Sequence, residues 1–194
     1  LVFTCSWSDW FHEGADAWRE EAWDIIRRTP HLTYQILTKR PERMRQHLPA
    51  DWGNGYPNVW LGVSVENQRW TTRIPWLLKV PSVVHFLSCE PLLGPLDLLT
   101  VENPHDPYAH CLSAGFDGER LLPRVDWVIA GGESGADARP MELDWARSLR
   151  DQCQTAGVPY FLKQLGGHPD ARAHEKALLD GRTHTEMPSP SRQP

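Results

Sequence analysis

The sequence has no apolar stretch approaching the roughly 20 residues that a membrane-spanning helix needs, and no charged-then-apolar leader of the kind a secreted chain carries. It is also poor in positive charge: 20 Lys and Arg against 25 Asp and Glu give a net charge of -5. That balance argues against broad, charge-driven nucleic-acid binding, which needs a basic face, and leaves room only for a local basic pocket. Cysteine is sparse, and Cys5, Cys89, Cys111 and Cys153 form no C-x-x-C pair. Such spacing suits reduced thiols in a cytosol rather than a disulfide framework or a self-contained metal site, so the expected location is cytoplasmic. A starting methionine is missing as well. The chain opens at Leu1 inside an apolar run, which reads as a partial sequence.

What is present is enough for one soluble domain with a real core: 194 residues, 40% hydrophobic and 23% charged. Ten tryptophans are many for this length. Trp18, Trp23, Trp70, Trp76 and Trp145 fall in or beside helical patterns and are expected in packing. Trp7 and Trp10 follow a strand-like run and are placed to line a site.

Six short β-prone runs recur: Leu1–Cys5, Thr33–Leu37, Val59–Val65, Val83–Ser88, Val125–Ala130 and Tyr160–Leu162. Several are apolar nearly throughout, as strands buried on both faces are. Helical patterns lie between most of them. Asp16–Thr29 places Trp18, Ala22, Ile25 and Ile26 on one stripe and stops at Pro30. Pro41 starts a short helix with Met44 and Leu48, and Gln68–Lys79 must be kinked or divided at Pro75. Leu143, Ala146, Leu149 and Cys153 form the clearest stripe, ended by Gly157.

This alternation predicts right-handed βαβ units and a parallel sheet. The interval between strands is close to the roughly 30 residues per unit of an eight-unit (β/α) barrel. The expected fold is therefore α/β, a partial parallel (β/α) barrel of six units with its N-terminal units missing; a six-stranded doubly wound sheet is the competing architecture. Residues 1–167 form the barrel domain, with a long helix-free loop at 94–124, and 168–194 read as a polar, loosely attached tail.

Each strand ends in a polar cluster. In chain order these are Ser6, Ser8 and Asp9; Thr38, Lys39 and Arg40; Ser64, Glu66 and Asn67; Ser88, Cys89 and Glu90; Gly131-Gly132-Glu133-Ser134-Gly135; and Lys163 with Gln164. Buried charges are costly unless paired or used. Six strands ending this way put several charges around one crevice, where barrel enzymes place their sites. The same residues would also serve as a structural ring, Lys39 and Lys163 neutralising Glu66, Glu90 and Glu133.

The glycine-rich turn lets a backbone approach a ligand or simply makes a tight turn; it is neither a Walker loop nor a dinucleotide fingerprint. Glu90 and Glu133 also fit the two-carboxylate logic of a glycoside hydrolase. His105, His110 and Cys111 share the long loop without any standard zinc spacing, so a solvated loop is expected there and no metal site. Cys89, at a buried strand end, is expected to be inert.

Read together, several segments are familiar: Cys5–Glu13, Leu37–Met44, Trp60–Asn67, Ser88–Pro95, Gly131–Gly135 with Ala138–Met141, Phe161–Gln164 and Leu178–Thr183. The set resembles the bacteriophage gene-product-37/gene-product-68 family, a family of unknown function. The resemblance runs almost end to end and implies a barrel of the TIM/radical-SAM type. It further implies S-adenosylmethionine and a [4Fe–4S] cluster as cofactors of a complete member, the cluster held by three N-terminal cysteines. None of the four cysteines of this chain replaces those three.

On this reading Glu66, Glu90 and Glu133 bind ligand polar groups or act as acid and base, with Lys39 and Lys163 beside them. Lys39, Arg40 and Lys163 hold anionic groups, and Ser64, Asn67 and Gln164 orient the ligand. Ser8, Asp9, Thr38, Gly131, Gly132 and Ser134 line the same site. The expected partner is a small-molecule or modified-substrate ligand, with neither a membrane nor broad nucleic-acid binding. The alternative is a non-catalytic phage accessory protein on the same barrel.

Overall fold

The computed structural model describes residues 1–99, 110–113, 123–167 and 177–189. The apolar runs become strands β1 (Val2–Phe3), β2 (Tyr34–Thr38), β3 (Val59–Ser64), β4 (His85–Cys89), β5 (Trp127–Gly131) and β6 (Tyr160–Gln164). They form one parallel sheet in the order β1-β2-β3-β4-β5-β6, curled into a half-barrel. A doubly wound sheet reverses its strand order at a switch point. No reversal occurs here, so the partial (β/α) barrel is the observed architecture.

Among the described residues three α-helices accompany the sheet: α1 (Asp16–Arg28), α2 (Ile74–Leu78) and α3 (Leu143–Ala156). Pro75 divides its segment as expected, into a 3-10 helix over Gln68–Arg73 and then α2. Pro41–Gln46 is also 3-10. Gly157 closes α3 with φ 63°, the left-handed cap that glycine adopts without strain.

One helical stripe differs from expectation. In α1 the inward residues are Arg19, Trp23 and Ile26, whereas Trp18 and Ile25 are exposed. Arg19 takes an inward position because acceptors await it there. Its guanidinium donates to the carbonyls of Trp10 and His12 and pairs with Asp16. Trp76 is also exposed, and of the two loop tryptophans Trp10 is buried and Trp7 fully exposed.

The two faces of the sheet bury different sets. Ile36, Leu61, Val63, Leu87, Val128, Ala130 and Leu162 join the main core with Trp23, Leu77, Leu149 and Cys153 of the helices. The inner face of the half-barrel carries a smaller cluster of Trp60, Val84, Phe86 and Trp127, with Leu37, Ile129 and Phe161 packed against it. Register sets these in layers: Leu37, Gly62, Phe86 and Trp127 lie opposite one another, and Ser64, Ser88, Ile129 and Phe161 form the next layer up.

No helix bridges β4 and β5 among the described residues. Leu96, Leu98, Cys111 and Leu112 are buried there instead. Gln152 of α3 holds this segment by both ends of its amide, accepting from the Leu98 N–H and donating to the Leu96 carbonyl. His105 lies outside the described residues, so the zinc reading of the loop reduces to His110, bonded to the Leu99 carbonyl, and Cys111, bonded to that of Leu98.

The described part of the tail is docked, not loose. Strands β7 (Leu178–Leu179) and β8 (Arg182–Thr183) pair antiparallel across Asp180-Gly181, both at positive φ, the geometry of a two-residue hairpin. Leu179 is fully buried, and Asp180 bridges Arg147 and Arg150 of α3. Beyond the hairpin, Leu162 N–H donates to the His184 carbonyl and Glu186 N–H to that of Tyr160, so the tail covers the outer edge of β6.

Candidate functional site

All six strands of the sheet are parallel, so their polar ends meet at one rim. The clusters do not contribute equally to it. Asp9 is fully engaged: its carboxylate accepts from Phe11 N–H, Thr38 Oγ1, Lys39 N–H and Arg40 Nη1 at 2.6–3.1 Å. It ties the loop after β1 to the end of β2, and Thr38 and Arg40 are spent in the same knot. Asn67 caps the following 3-10 helix through Arg69 N–H, and Ser8 N–H donates to the Cys5 carbonyl. These residues shape the rim from below.

Glu66 rises from the buried end of β3 between two cations. Lys39 Nζ lies 2.5 Å from one oxygen and Arg73 Nη1 3.0 Å from the other. Arg73 in turn stacks 3.9 Å from the Trp70 ring and donates to the Ser64 carbonyl. Burial alone would raise the Glu66 carboxyl, but its hydrogen bonds and the charges of Lys39 and Arg73 outweigh that and hold it below the ordinary carboxylate range.

Glu90, on the neighbouring strand end, has the opposite balance. Among the described residues its one cation is Lys163, 3.4 Å away and more than half exposed, and Ser88 Oγ is 3.5 Å off. Burial therefore wins, and the Glu90 carboxyl sits above its ordinary value. Two carboxylates on one rim are thus pushed apart, the arrangement that lets one stay ionised while its neighbour carries a proton.

Glu133 is clamped from one side. Arg139 donates Nε, Nη2 and its own backbone N–H to the two carboxylate oxygens at 2.7–3.0 Å. These bonds lower the Glu133 carboxyl to about 2. Gly131 and Gly132 of this turn are accounted for by packing, and Gly135 by its positive φ of 126°. A Cβ on Gly131 would fall 2.6 Å from Glu90 Oε1, and one on Gly132 would fall 2.3 Å from the Leu165 carbonyl oxygen. Gly131 thus gives the Glu90 carboxylate its place. Gln164 Nε2 donates to the Gly132 carbonyl, and Ser134 bridges to Gly167.

The structure brings together Glu66 with Lys39 and Ser64, and Glu90 with Ser88, Gly131 and Lys163. Leu92 and Leu93 N–H groups donate to the Gly131 and Glu66 carbonyls, so the segment after β4 is laced across both neighbours. Two partners were not singled out by sequence reasoning, Arg73 and Arg139. Arg139 lies within the Ala138–Met141 segment; Arg73 follows Glu66 by seven residues, a spacing with no local signature.

Three of the four cysteines point away from this rim. Cys89, Cys111 and Cys153 are buried on the helix side, where desolvation raises their thiols, the latter two to about 12. Cys5 is exposed, its thiol raised by partial burial and by Asp9. Among the described residues no group of three or more His, Cys, Asp or Glu side chains is arranged to hold a metal ion. A [4Fe–4S] cluster takes three or four thiolates, so the described residues do not fit one. No helix of the described residues is long and apolar enough to cross a membrane.

The fold and rim define a partial (β/α) barrel protein with paired charged residues at its strand ends. Residues 1–188 match the model of a family described as Protein of unknown function (DUF5131), and the chain belongs to that family. No curated protein and no solved structure matches it.

Proposed function

We propose that this chain is the ligand-holding part of a cytoplasmic, phage-type, radical-SAM-like protein of the gene-product-37/gene-product-68 kind. Its own residues bind a small polar ligand in the crevice between Glu66 and Glu90. Lys39 and Lys163 face solvent beside those carboxylates and meet the ligand's anionic groups. Glu90, kept protonated more readily than a free carboxyl, donates a hydrogen bond or a proton there. S-adenosylmethionine and an iron–sulfur cluster are the cofactors that the family resemblance implies. The reading needs three clustered cysteines elsewhere in the protein, and the reading frame preceding Leu1 is where they are sought.

The observation that carries this proposal is Glu90. A purely structural ring would pair it as tightly as Glu66 and Glu133 are paired, yet among the described residues its ion pair is with Lys163 alone, at 3.4 Å, against 2.5–3.0 Å for the cations on Glu66 and Glu133. The test is calorimetric titration with S-adenosylmethionine as the probe. Saturable binding, weakened at least tenfold by Glu90→Gln, supports the reading; absence of saturable binding sinks it.

A second reading rests on Glu66 and Glu133, whose oxygens are already held by Lys39, Arg73 and Arg139. It makes the chain a non-catalytic accessory protein whose rim is a folded scaffold. The same titration separates the two, since a scaffold gives no saturable heat.

A further inference from the structure

The knot around Asp9 spends only one nitrogen of Arg40, Nη1, at 3.1 Å. Nε and Nη2 bond nothing among the described residues, neither is buried, and the side chain is 39% exposed. That free edge is a planar fork of the kind that matches two oxygens of a phosphate. Beside it, the Lys39 ammonium is more than half exposed and meets one carboxylate, Glu66, with three N–H donors to offer. Asp9 itself shows little charge to solvent, since its carboxylate is largely buried under four donors. Further round the rim, Arg139 and Lys163 are also more than half exposed, above the less exposed Glu133 and Glu90. The rim therefore turns cations outward in a chain whose net charge is -5. The loop tied by the same knot carries a second feature. Trp7 is fully exposed, in the turn that Ser8 N–H closes onto the Cys5 carbonyl at 2.9 Å. Two residues separate it from Asp9, a reach of at most about 7 Å. Turns favour glycine, asparagine, aspartate and serine, and an indole left wholly in water forgoes the burial that tryptophan otherwise contributes. Trp10, three residues on, is buried against Trp23, so the loop packs one tryptophan and presents the other.

We infer that the rim takes a phosphorylated nucleoside unit, its phosphate on Arg40 and Lys39 and its base stacked on Trp7. Every base has a face that stacks on an aromatic ring, and stacking combined with cations along a backbone is how proteins hold single strands. The unit is either a free nucleotide or part of a single strand, for which Lys163 and Arg139 offer further phosphate contacts. Such a ligand gives the rim proposed above its substrate class and rests on that rim being a ligand site. S-adenosylmethionine carries no phosphate, so its binding and the binding of a nucleotide at Arg40 succeed or fail separately.

The test is calorimetric titration of the 194-residue chain at fixed ionic strength. The probes are thymidine 5′-monophosphate, 2-deoxyribose 5-phosphate, and a single-stranded oligothymidylate of about eight residues. The mononucleotide should bind about fivefold or more tightly than the sugar phosphate, the contribution of one stacked base. Trp7→Ala should erase that difference and leave the sugar phosphate where it was; a fully exposed side chain can be removed without disturbing the fold. Arg40→Lys, which keeps the charge and loses the fork, should weaken both by about tenfold, with circular dichroism verifying its fold. Tighter binding of the oligothymidylate than its several overlapping sites explain assigns the unit to a strand, and equal binding per site assigns it to a free nucleotide. Equal affinity of the parent for the mononucleotide and the sugar phosphate, or a mononucleotide affinity unchanged in Arg40→Lys, would overturn the assignment.

Discussion

Gly62 and Phe86 occupy one space on the inner face of the half-barrel: a Cβ at residue 62 would lie 2.4 Å from the Phe86 ring. The two residues are register partners on β3 and β4, and Phe86 is fully buried. A rigid, enclosed ring has nowhere to go. Gly62→Ala should therefore destabilise the fold by about 1–3 kcal/mol through overpacking, read as a lower urea midpoint at unchanged slope. The double change Gly62→Ala with Phe86→Leu should recover part of that loss, because the smaller side chain releases the contact.

Glu66 and Glu90 are one strand apart yet should respond oppositely to the same substitution. Glu66→Gln strips the charge from between Lys39 and the half-buried Arg73 and should cost about 3 kcal/mol, the low end for a broken buried pair because Lys39 is solvated. Glu66 has a lowered carboxyl, so its contribution is complete at neutral pH and lost as pH falls below the ordinary range. Glu90 has a raised carboxyl, so its ionised form burdens the fold above that range. Glu90→Gln should stabilise the protein at pH 7, and the gain should vanish once pH drops below about 4.5, where both folded and unfolded chains carry the proton. Chemical denaturation of both variants at pH 7 and pH 4 checks the pair; equal losses at pH 7 would refute the assignment of Glu90 to a site rather than a ring.

The strands and their common rim were legible because a buried parallel strand is a nearly unbroken apolar run followed by polar residues, and parallel pairing then forces every such end to one side. Each observed strand overlaps its expected run with ends displaced by up to two residues, as with Val2–Phe3 against Leu1–Cys5. Partnership was not legible. Nothing local in the sequence says that Glu66 belongs to Arg73 as well as Lys39, or that Glu133 belongs to Arg139, since those choices arise where a loop folds back on its strand. Arg19 shows the same limit on a helix. Periodicity assigns an arginine to the solvent side, but the carbonyls of Trp10 and His12, supplied by a different segment, draw it inward. The Asp180-Gly181 dipeptide carries a hairpin signal that the expectation of a loosely attached tail passed over.

The clamp on Glu133 makes a sharp titration prediction. With Arg139 in place its carboxyl should titrate at about 2. In Arg139→Gln it should return toward the ordinary 4.5. Because the folded value is the depressed one, the pair supports the fold fully above the ordinary range and ceases to as pH falls toward 2. Carboxyl-carbon NMR of parent and variant reads this directly. A Glu133 midpoint that does not move on removing Arg139 would mean that the guanidinium is not its partner.

The last prediction concerns the edge of β6. A strand edge presents unpaired backbone groups that invite pairing with another chain, and proteins cover such edges or blunt them. Here the cover is the tail, through the bonds from Leu162 to His184 and from Glu186 to Tyr160. Leu179 and the Asp180 bridge to Arg147 and Arg150 hold that cover against α3. Ending the chain after Ala177 removes all of these at once, uncovering β6 and the inward face of Trp127, whose indole N–H loses the Glu186 carbonyl. The shortened chain should self-associate in a concentration-dependent way, seen by sedimentation velocity. Leu179→Ala, which loosens the cover without removing it, should cost about 2–5 kcal/mol as a fully buried leucine does and should shift the same equilibrium less far. A truncated chain that stays monomeric and as stable as the parent would show that the tail does not guard this edge.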